Sequence, residues 1–94
     1  MAAMLSWDDK KRHSNLRKHG VDFADATEFD WETALMLEDE RFTYDEQRFI
    51  AIGWMKNRLH TMAFAMIDEE AIRIITLRRS TKQERRLYEE NLQT

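Results

Sequence analysis

Apolar positions follow two rhythms along this chain, and the rhythm changes near Trp31. Before that point they are sparse and spaced as on helices; after it they alternate or run together as in strands. Met4 to Trp7 is a short apolar run that predicts an opening strand. Asp8 is placed to cap a helix from about Asp9 to His19, and Gly20 to stop it. Leu16 is the only aliphatic residue in that helix, so only a narrow stripe is expected to be buried, with the rest facing water or a partner. A second helix is expected from the Asp22 cap to about Asp30 or Trp31, with Asp25 in its first turn and Phe23, Ala26 and Thr27 at helical spacing.

The second half reads as strands. Ala34 to Leu37 is a short apolar run, followed by a charged loop from Glu38 to Gln47. Arg48 to Trp54 alternates, with Ile50, Ile52 and Trp54 on one face and Phe49, Ala51 and Gly53 on the other. Lys56-Asn57-Arg58 reads as a tight turn. Leu59 to Ile67 is apolar on both faces, as a central strand buried on both sides would be. Asp68-Glu69-Glu70 turns the chain, and Ala71 to Leu77 returns as a β-branched strand, which makes an antiparallel meander. Ser80 and Gln83 have the spacing of a capping box for a final helix to about Leu92. Its apolar face is thin, consisting of Leu87, Tyr88 and Leu92. The order β-α-α-β-β-β-β-α predicts an α+β fold with helices on one side of the sheet, the whole chain 1–94 forming one domain.

Composition narrows the setting. The absence of cysteine excludes a disulfide scaffold and thiolate metal sites, and suits a reducing compartment. No apolar run approaches the roughly 20 residues that span a bilayer, and no signal segment opens the chain, so a cytoplasmic location is expected. The net charge of −3 argues against a nucleic-acid ligand until its distribution is considered. Met1 to Val21 carries a surplus of three positive charges, Asp22 to Gln47 a balance of −9, and Ala71 to Thr94 again a surplus of three positive. If the two ends meet in the fold, they make a basic face on an acidic protein.

Candidate chemistry follows from what is present. His13, His19 and His60 lack metal-ligand spacing and glycine-rich phosphate loops are absent, so neither a metal nor a cofactor is expected. Lys18 and His19 pair a cation with a titrating base at a helix C-terminus, where the macrodipole stabilises positive charge. That is either plain capping or the corner of an active site. Arg73 lies inside the last strand, Arg78 ends it, Arg79 follows, and Arg85 lies in the final helix. Planar guanidinium groups at a strand–helix junction are suited to holding a phosphate bidentately; solvated surface charge is the plainer reading. Arg73 and Arg78 differ by an odd number and so, in a regular strand, face opposite sides. His60 reads as a hydrogen-bonded structural residue. Trp7, Trp31, Trp54 and Phe64 read as core, with an exposed Trp also suited to stacking an unpaired base.

Several landmarks in order resemble the BrnT family of type II toxin–antitoxin toxins. These are Trp7-Asp8 with Lys11; Asn15, Lys18, His19, Gly20, Val21 and Phe23; Glu46-x-Arg48 with Ile52-Gly53; Arg73-Ile74-Ile75-x-x-Arg78; and Glu84-Arg85-x-x-Tyr88. The resemblance covers about residues 5 to 88. It implies a RelE/ParE-like fold, with two N-terminal helices and a C-terminal helix packed on a curved, mainly antiparallel sheet. It also implies a metal-independent endoribonuclease that cleaves RNA by 2′-hydroxyl attack and inhibits translation. The implied partner is a BrnA-type antitoxin that neutralises the toxin in a hetero-oligomer and carries the operator DNA contacts. Carried over by position, Lys18, His19, Arg78, Arg73 and Arg85 become the catalytic candidates, with Arg78 on the phosphate, His19 or Lys18 moving the proton, and Arg85 a phosphate group partner or structural partner of Glu84. Arg48, Arg79 and Lys82 become RNA contacts. Two departures stand out: Phe64-Ala65-Met66-Ile67 replaces a family Tyr-Thr-x-Arg, and Asp45 stands where Gly is frequent. They leave open a second expectation, an interaction module that binds the antitoxin and acts as co-repressor without strong catalysis.

Overall fold

The computed structural model describes residues 4–40 and 46–92. Asp45 and the middle of the charged loop read from Glu38 to Gln47 lie outside the described residues. Strand β1 (Met4–Ser6) leads into helix α1 (Asp9–His19) and a 3-10 helix (Phe23–Glu28). Strands β2 (Leu35–Glu38), β3 (Arg48–Met55), β4 (Arg58–Asp68) and β5 (Ala71–Arg79) follow, and helix α2 (Lys82–Leu92) closes the chain. The sheet order is β1-β5-β4-β3-β2, antiparallel throughout except for β1, which pairs parallel to β5.

Both ends of α1 form as their residues dictate. Asp8 is extended and accepts from the Lys10 amide at 3.0 Å, while Gly20 takes φ 71° and returns its N–H to Leu16 O. Arg17, Lys18 and His19 occupy the last turn, at the negative end of the helix dipole. The expected apolar stripe is absent: Leu16 is 43% exposed, and Asn15 is the buried residue of the helix. Its amide Nδ2 donates to Leu77 O at 2.7 Å and Val21 O at 3.0 Å, and its Oδ1 accepts from the Leu77 amide at 3.2 Å. Strand β1 pairs with β5 only as far as Arg73, so Leu77 lies on an edge beyond it. A carboxamide offers the same donor and acceptor as a peptide group, and Asn15 completes that edge as another strand would.

The second helix differs from expectation in type and length. It is a six-residue 3-10 helix, capped by Asp22 through the Ala24 amide. Phe23, Ala26 and Phe29 are all buried, and a spacing of three aligns them on one face only at three residues per turn. Together with Val21 they pack on Ala51 and Met55 of β3, Met62 and Phe64 of β4, and Ile72, Ile74 and Leu77 of β5. Gly53 belongs to this face because a Cβ there would lie 2.8 Å from the Phe29 ring.

The helices do not share one side of the sheet, as the element order suggested. Tyr88 of α2 packs with Ile52, Leu59 and Leu35, which project from the opposite face. The tyrosine and the alternation of β3 together bring α2 there. Two further corrections concern β5 and the start of α2. Ala63 pairs with Thr76 but Phe64 pairs with Ile74, so Ile75 is an extra residue in the strand. This bulge resets the alternation: Ile74 and Leu77 both face the core, and Arg73 and Arg78 leave from the same α2 face rather than opposite ones. The capping box of α2 is Thr81 with Glu84, not Ser80 with Gln83. The Glu84 amide donates to Thr81 Oγ1 at 3.2 Å, and the Thr81 amide to Glu84 Oε1 at 2.8 Å. Ser80 is buried, hydrogen bonded to Thr61 Oγ1 at 2.8 Å.

Asn15→Ala leaves both main-chain groups of Leu77 and the Val21 carbonyl without their side-chain partner. It is expected to cost about 3 kcal/mol or more, at roughly 1–3 kcal/mol for each buried group left unsatisfied. Urea unfolding should report a lowered midpoint, whereas Leu16→Ala should change it little.

Candidate active site

At the end of the sheet, the last turn of α1, the β3–β4 turn and the junction of β5 with α2 surround an open cleft of about 760 Å³. Lys18 and His19 line it from α1, and Arg78 and Arg79 from the end of β5. Lys56, Arg58 and His60 enter from the hairpin and Asp25 from the 3-10 helix. Lys56 and Asn57 both have positive φ, as a two-residue hairpin loop of mirror-image type requires, and this sets Met55 opposite Arg58. The same register places His60 beside Arg79. Asp25 is held by Lys56 at 3.0 Å, and Lys56 also lies 3.6 Å from Glu28.

The motif around Gly20 divides cleanly. Asn15, Gly20, Val21 and Phe23 are explained by the fold; Lys18 and His19 are exposed and face the cleft. Of the residues expected to carry chemistry, the structure therefore brings Lys18, His19 and Arg78 together, with Arg79. Arg73 is elsewhere. It pairs with Glu46, which also lies 3.9 Å from Arg48, and both arginines flank Ala65 across the sheet. Arg78 lies five positions after Arg73, a distance of roughly 13 Å along a bulged strand. Phe64 to Ile67 belong to this remote row: Phe64 is core and Ala65 is the residue opposite Arg73. Lys82 is exposed on the first turn of α2 and does not line the cleft. Arg85 lines a second cavity on the α2 face and donates to Ser80 O at 3.0 Å. Glu84 is not its partner.

Glu84 is instead the partner of Arg78. The guanidinium grips both carboxylate oxygens at 2.7 and 2.9 Å, and Thr61 Oγ1 and the Thr81 amide add to Oε1 at 3.0 and 2.8 Å. Arg78, then the Thr81 and Thr61 donors, hold Glu84 at a pKa of about 2 against the opposing effect of burial. Arg78 spends a third N–H on Arg79 O at 3.3 Å, which leaves two of its five for a ligand. Asp22 is held down in the same way, also at about 2, by the Arg12 fork at 2.8 and 3.0 Å and by the Ala24 amide.

Sequence reasoning missed Arg58 and the place of His60 in the cleft. His60 is buried, and its Nδ1 lies 3.0 Å from Arg58 O. A carbonyl only accepts, so Nδ1 donates and the neutral ring carries its lone pair on Nε2. The turn register contained the signal: once Lys56-Asn57 is taken as a two-residue loop, Arg58 and His60 fall at the same sheet end as Arg79. Among the described residues, no cluster of three His, Cys, Asp or Glu side chains is placed to hold a metal ion.

A mixed five-stranded sheet with helices on both faces and a cationic cleft at one end defines a small α+β protein. The chain belongs to the BrnT family: the family profile described as "Ribonuclease toxin, BrnT, of type II toxin-antitoxin system" matches residues 7–84. The structure is similar to the 1.1 Å crystal structure of the Brucella abortus ribonuclease toxin BrnT. The TM-score is 0.65 and the identity 28%, covering 86% of this chain and 100% of that one. A search of curated proteins finds no match. The protein is thus a BrnT-family toxin of the type II class.

Glu84 and Asp22 both sit well below their ordinary values of 4.5 and 3.8. Their stabilisation is full above those unfolded values and is lost as pH falls toward about 2. Urea midpoints should therefore decline between roughly pH 5 and pH 2. The Asp22→Asn/Glu84→Gln double variant should be less stable at pH 7 and show a flatter decline.

Proposed function

We propose that the cleft is the active site of an endoribonuclease that cleaves RNA by attack of a 2′-hydroxyl on the adjacent phosphorus. The observation that carries this reading is the convergence of Lys18, His19, Arg58, His60, Arg78 and Arg79 on one open cleft. In this scheme His19 takes the 2′-hydroxyl proton as the oxygen bonds to phosphorus. The Arg78 guanidinium, aligned by Glu84, meets the charge that builds on the non-bridging oxygens. The P–O5′ bond breaks, and the Lys18 ammonium supplies the proton to the departing oxygen. The products are a 2′,3′-cyclic phosphate and a 5′-hydroxyl, and no step requires a metal. Arg58 and Arg79 bind flanking phosphates. Arg73, Arg48, Lys82 and Arg85 stand outside the reacting centre, as support for the sheet or as longer-range RNA contacts.

In the cell this activity would inhibit translation from within the cytoplasm, under control of a BrnA-type antitoxin that also contacts operator DNA. The element order also supports a RelE/ParE-like relationship. A second reading, a non-catalytic antitoxin-binding module acting as co-repressor, draws on Phe64 to Ile67. The groups absent there lie beside Arg73 and Arg48 rather than in the cleft, which favours the catalytic reading.

Purified protein should cleave RNA to cyclic-phosphate ends. Arg78→Ala should lower the rate about 10²–10³-fold and Arg78→Lys should restore little, because a lysine lacks the planar fork. His19→Ala should lose about 10²–10⁴-fold. Induced without antitoxin, the wild-type chain should arrest growth with RNA fragmentation. Unimpeded growth with intact RNA would support the interaction module instead.

A further inference from the structure

Beside the cleft, on the α2 face, lies a second cavity of about 430 Å³ whose chemistry differs. Trp54, Leu59, Tyr88 and Leu92 supply its apolar walls, and Asn57, Ser80 and Glu89 share the lining, a single carboxylate among three arginines. Trp54 was expected in the core, but its side of β3 points to the α2 face, and it is 44% exposed. Tyr88 is buried and stands edge-on to it, with ring centroids 6.4 Å apart and planes at 89°. That contact holds the indole in place while leaving much of its surface available. Arg58, Arg79 and Arg85 border the same cavity, and Arg58 and Arg79 also border the catalytic cleft. The two spaces are therefore neighbours across a pair of guanidinium groups. Among the described residues, neither arginine forms a salt bridge.

We propose that this cavity is a subsite for one unpaired nucleotide of the RNA next to the scissile bond, its base stacked on Trp54 and its backbone held by Arg58 and Arg79. The inference rests on the reading of the cleft as the RNA-cleaving centre. An aromatic platform beside a basic track is how single-stranded nucleic acid is bound without demanding a particular base. The apolar area favours a flat ring, and the arginines favour an anion over a neutral peptide segment. Continuity through Arg58 and Arg79 fixes the path, since a strand leaving the cleft along these two cations arrives at the indole. Trp54 is accordingly a positioning residue for the substrate, separate from the groups that move protons.

The test uses a single-stranded hexanucleotide that resists cleavage through a 2′-O-methyl group at every ribose, titrated into the full-length protein. Tryptophan fluorescence should be quenched on binding. Trp54→Ala should weaken binding about 5- to 150-fold, the range for loss of one stacked base. Trp54→Phe should retain most of the affinity and lose the quench. Circular dichroism on both variants separates a folding defect from a binding one, and the Phe variant keeps the cavity filled. Unchanged affinity in both variants, alongside RNA cleavage by the wild type, overturns the subsite and leaves the cleft reading intact. A wild-type protein that neither binds nor cleaves RNA overturns both. Intact RNA affinity in Trp54→Ala with lost antitoxin neutralisation makes the cavity a protein contact and likewise overturns the subsite.

Discussion

One side-chain amide holds helix α1 to the sheet. Helix α1 brings almost no apolar surface to the interface, since Leu16 faces outward and its neighbours are polar. Asn15 instead bonds both main-chain groups of Leu77 and the carbonyl of Val21. Leu77 immediately precedes Arg78, and Asn15 lies one helical turn before Lys18 and His19. A single residue therefore fixes the spacing between Lys18 and His19 on the helix and Arg78 on the strand. A hydrophobic contact would tolerate sliding; three directed hydrogen bonds do not. The sparse apolar pattern, read as a narrow buried stripe, is what leaves the rest of α1 exposed.

The other side of the cleft has a comparable anchor. Glu84 ties Arg78, Thr61 and the start of α2 into one group, and it serves at once as capping residue and as counter-ion. With its carboxylate ionised at every physiological pH, Glu84 orients Arg78 without switching. The guanidinium keeps its full charge and approaches the cleft in one orientation, the preorganisation that the role proposed for Arg78 needs.

Much of this was legible in the residues, and the failures have identifiable causes. Helix α1 was bounded by Asp8 and Gly20 because capping and left-handed closure are local chemistry. The strands followed from alternation, and the double burial of β4 from its unbroken apolar run. The bulge at Ile75 was invisible, because Ile74, Ile75 and Thr76 are all β-branched and an inserted residue leaves no trace in such a run. That one residue decided whether Arg73 and Arg78 share a face. The side taken by α2 was equally hidden, since Tyr88 and the inward residues of β3 meet only through long-range packing. The 3-10 helix was misread as a longer helix because Phe23 and Ala26 fit both periods, whereas Thr27 fits only the α-helical one and is exposed, and Phe29 fits only the three-residue one. At the site, Lys18, His19 and Arg78 came from motif likeness, whereas Arg58 and His60 needed the hairpin register.

The acidic total no longer conflicts with a polyanionic ligand. Carboxylates of the acidic segment are engaged locally: Asp22 with Arg12, Asp25 and Glu28 with Lys56, and Glu46 with Arg73 and Arg48. Among the described residues, Lys18, Arg58 and Arg79 carry no such partner, and all three meet at one end of the sheet. Net charge sums over the surface, but a phosphate within hydrogen-bonding reach responds to what lies inside a Debye length of about 8 Å at physiological salt. Locally the cleft is cationic, and the acidity elsewhere repels a polyanion from the rest of the molecule. For the proposed RNA ligand, such a distribution favours few phosphate contacts in a defined orientation over broad electrostatic adhesion.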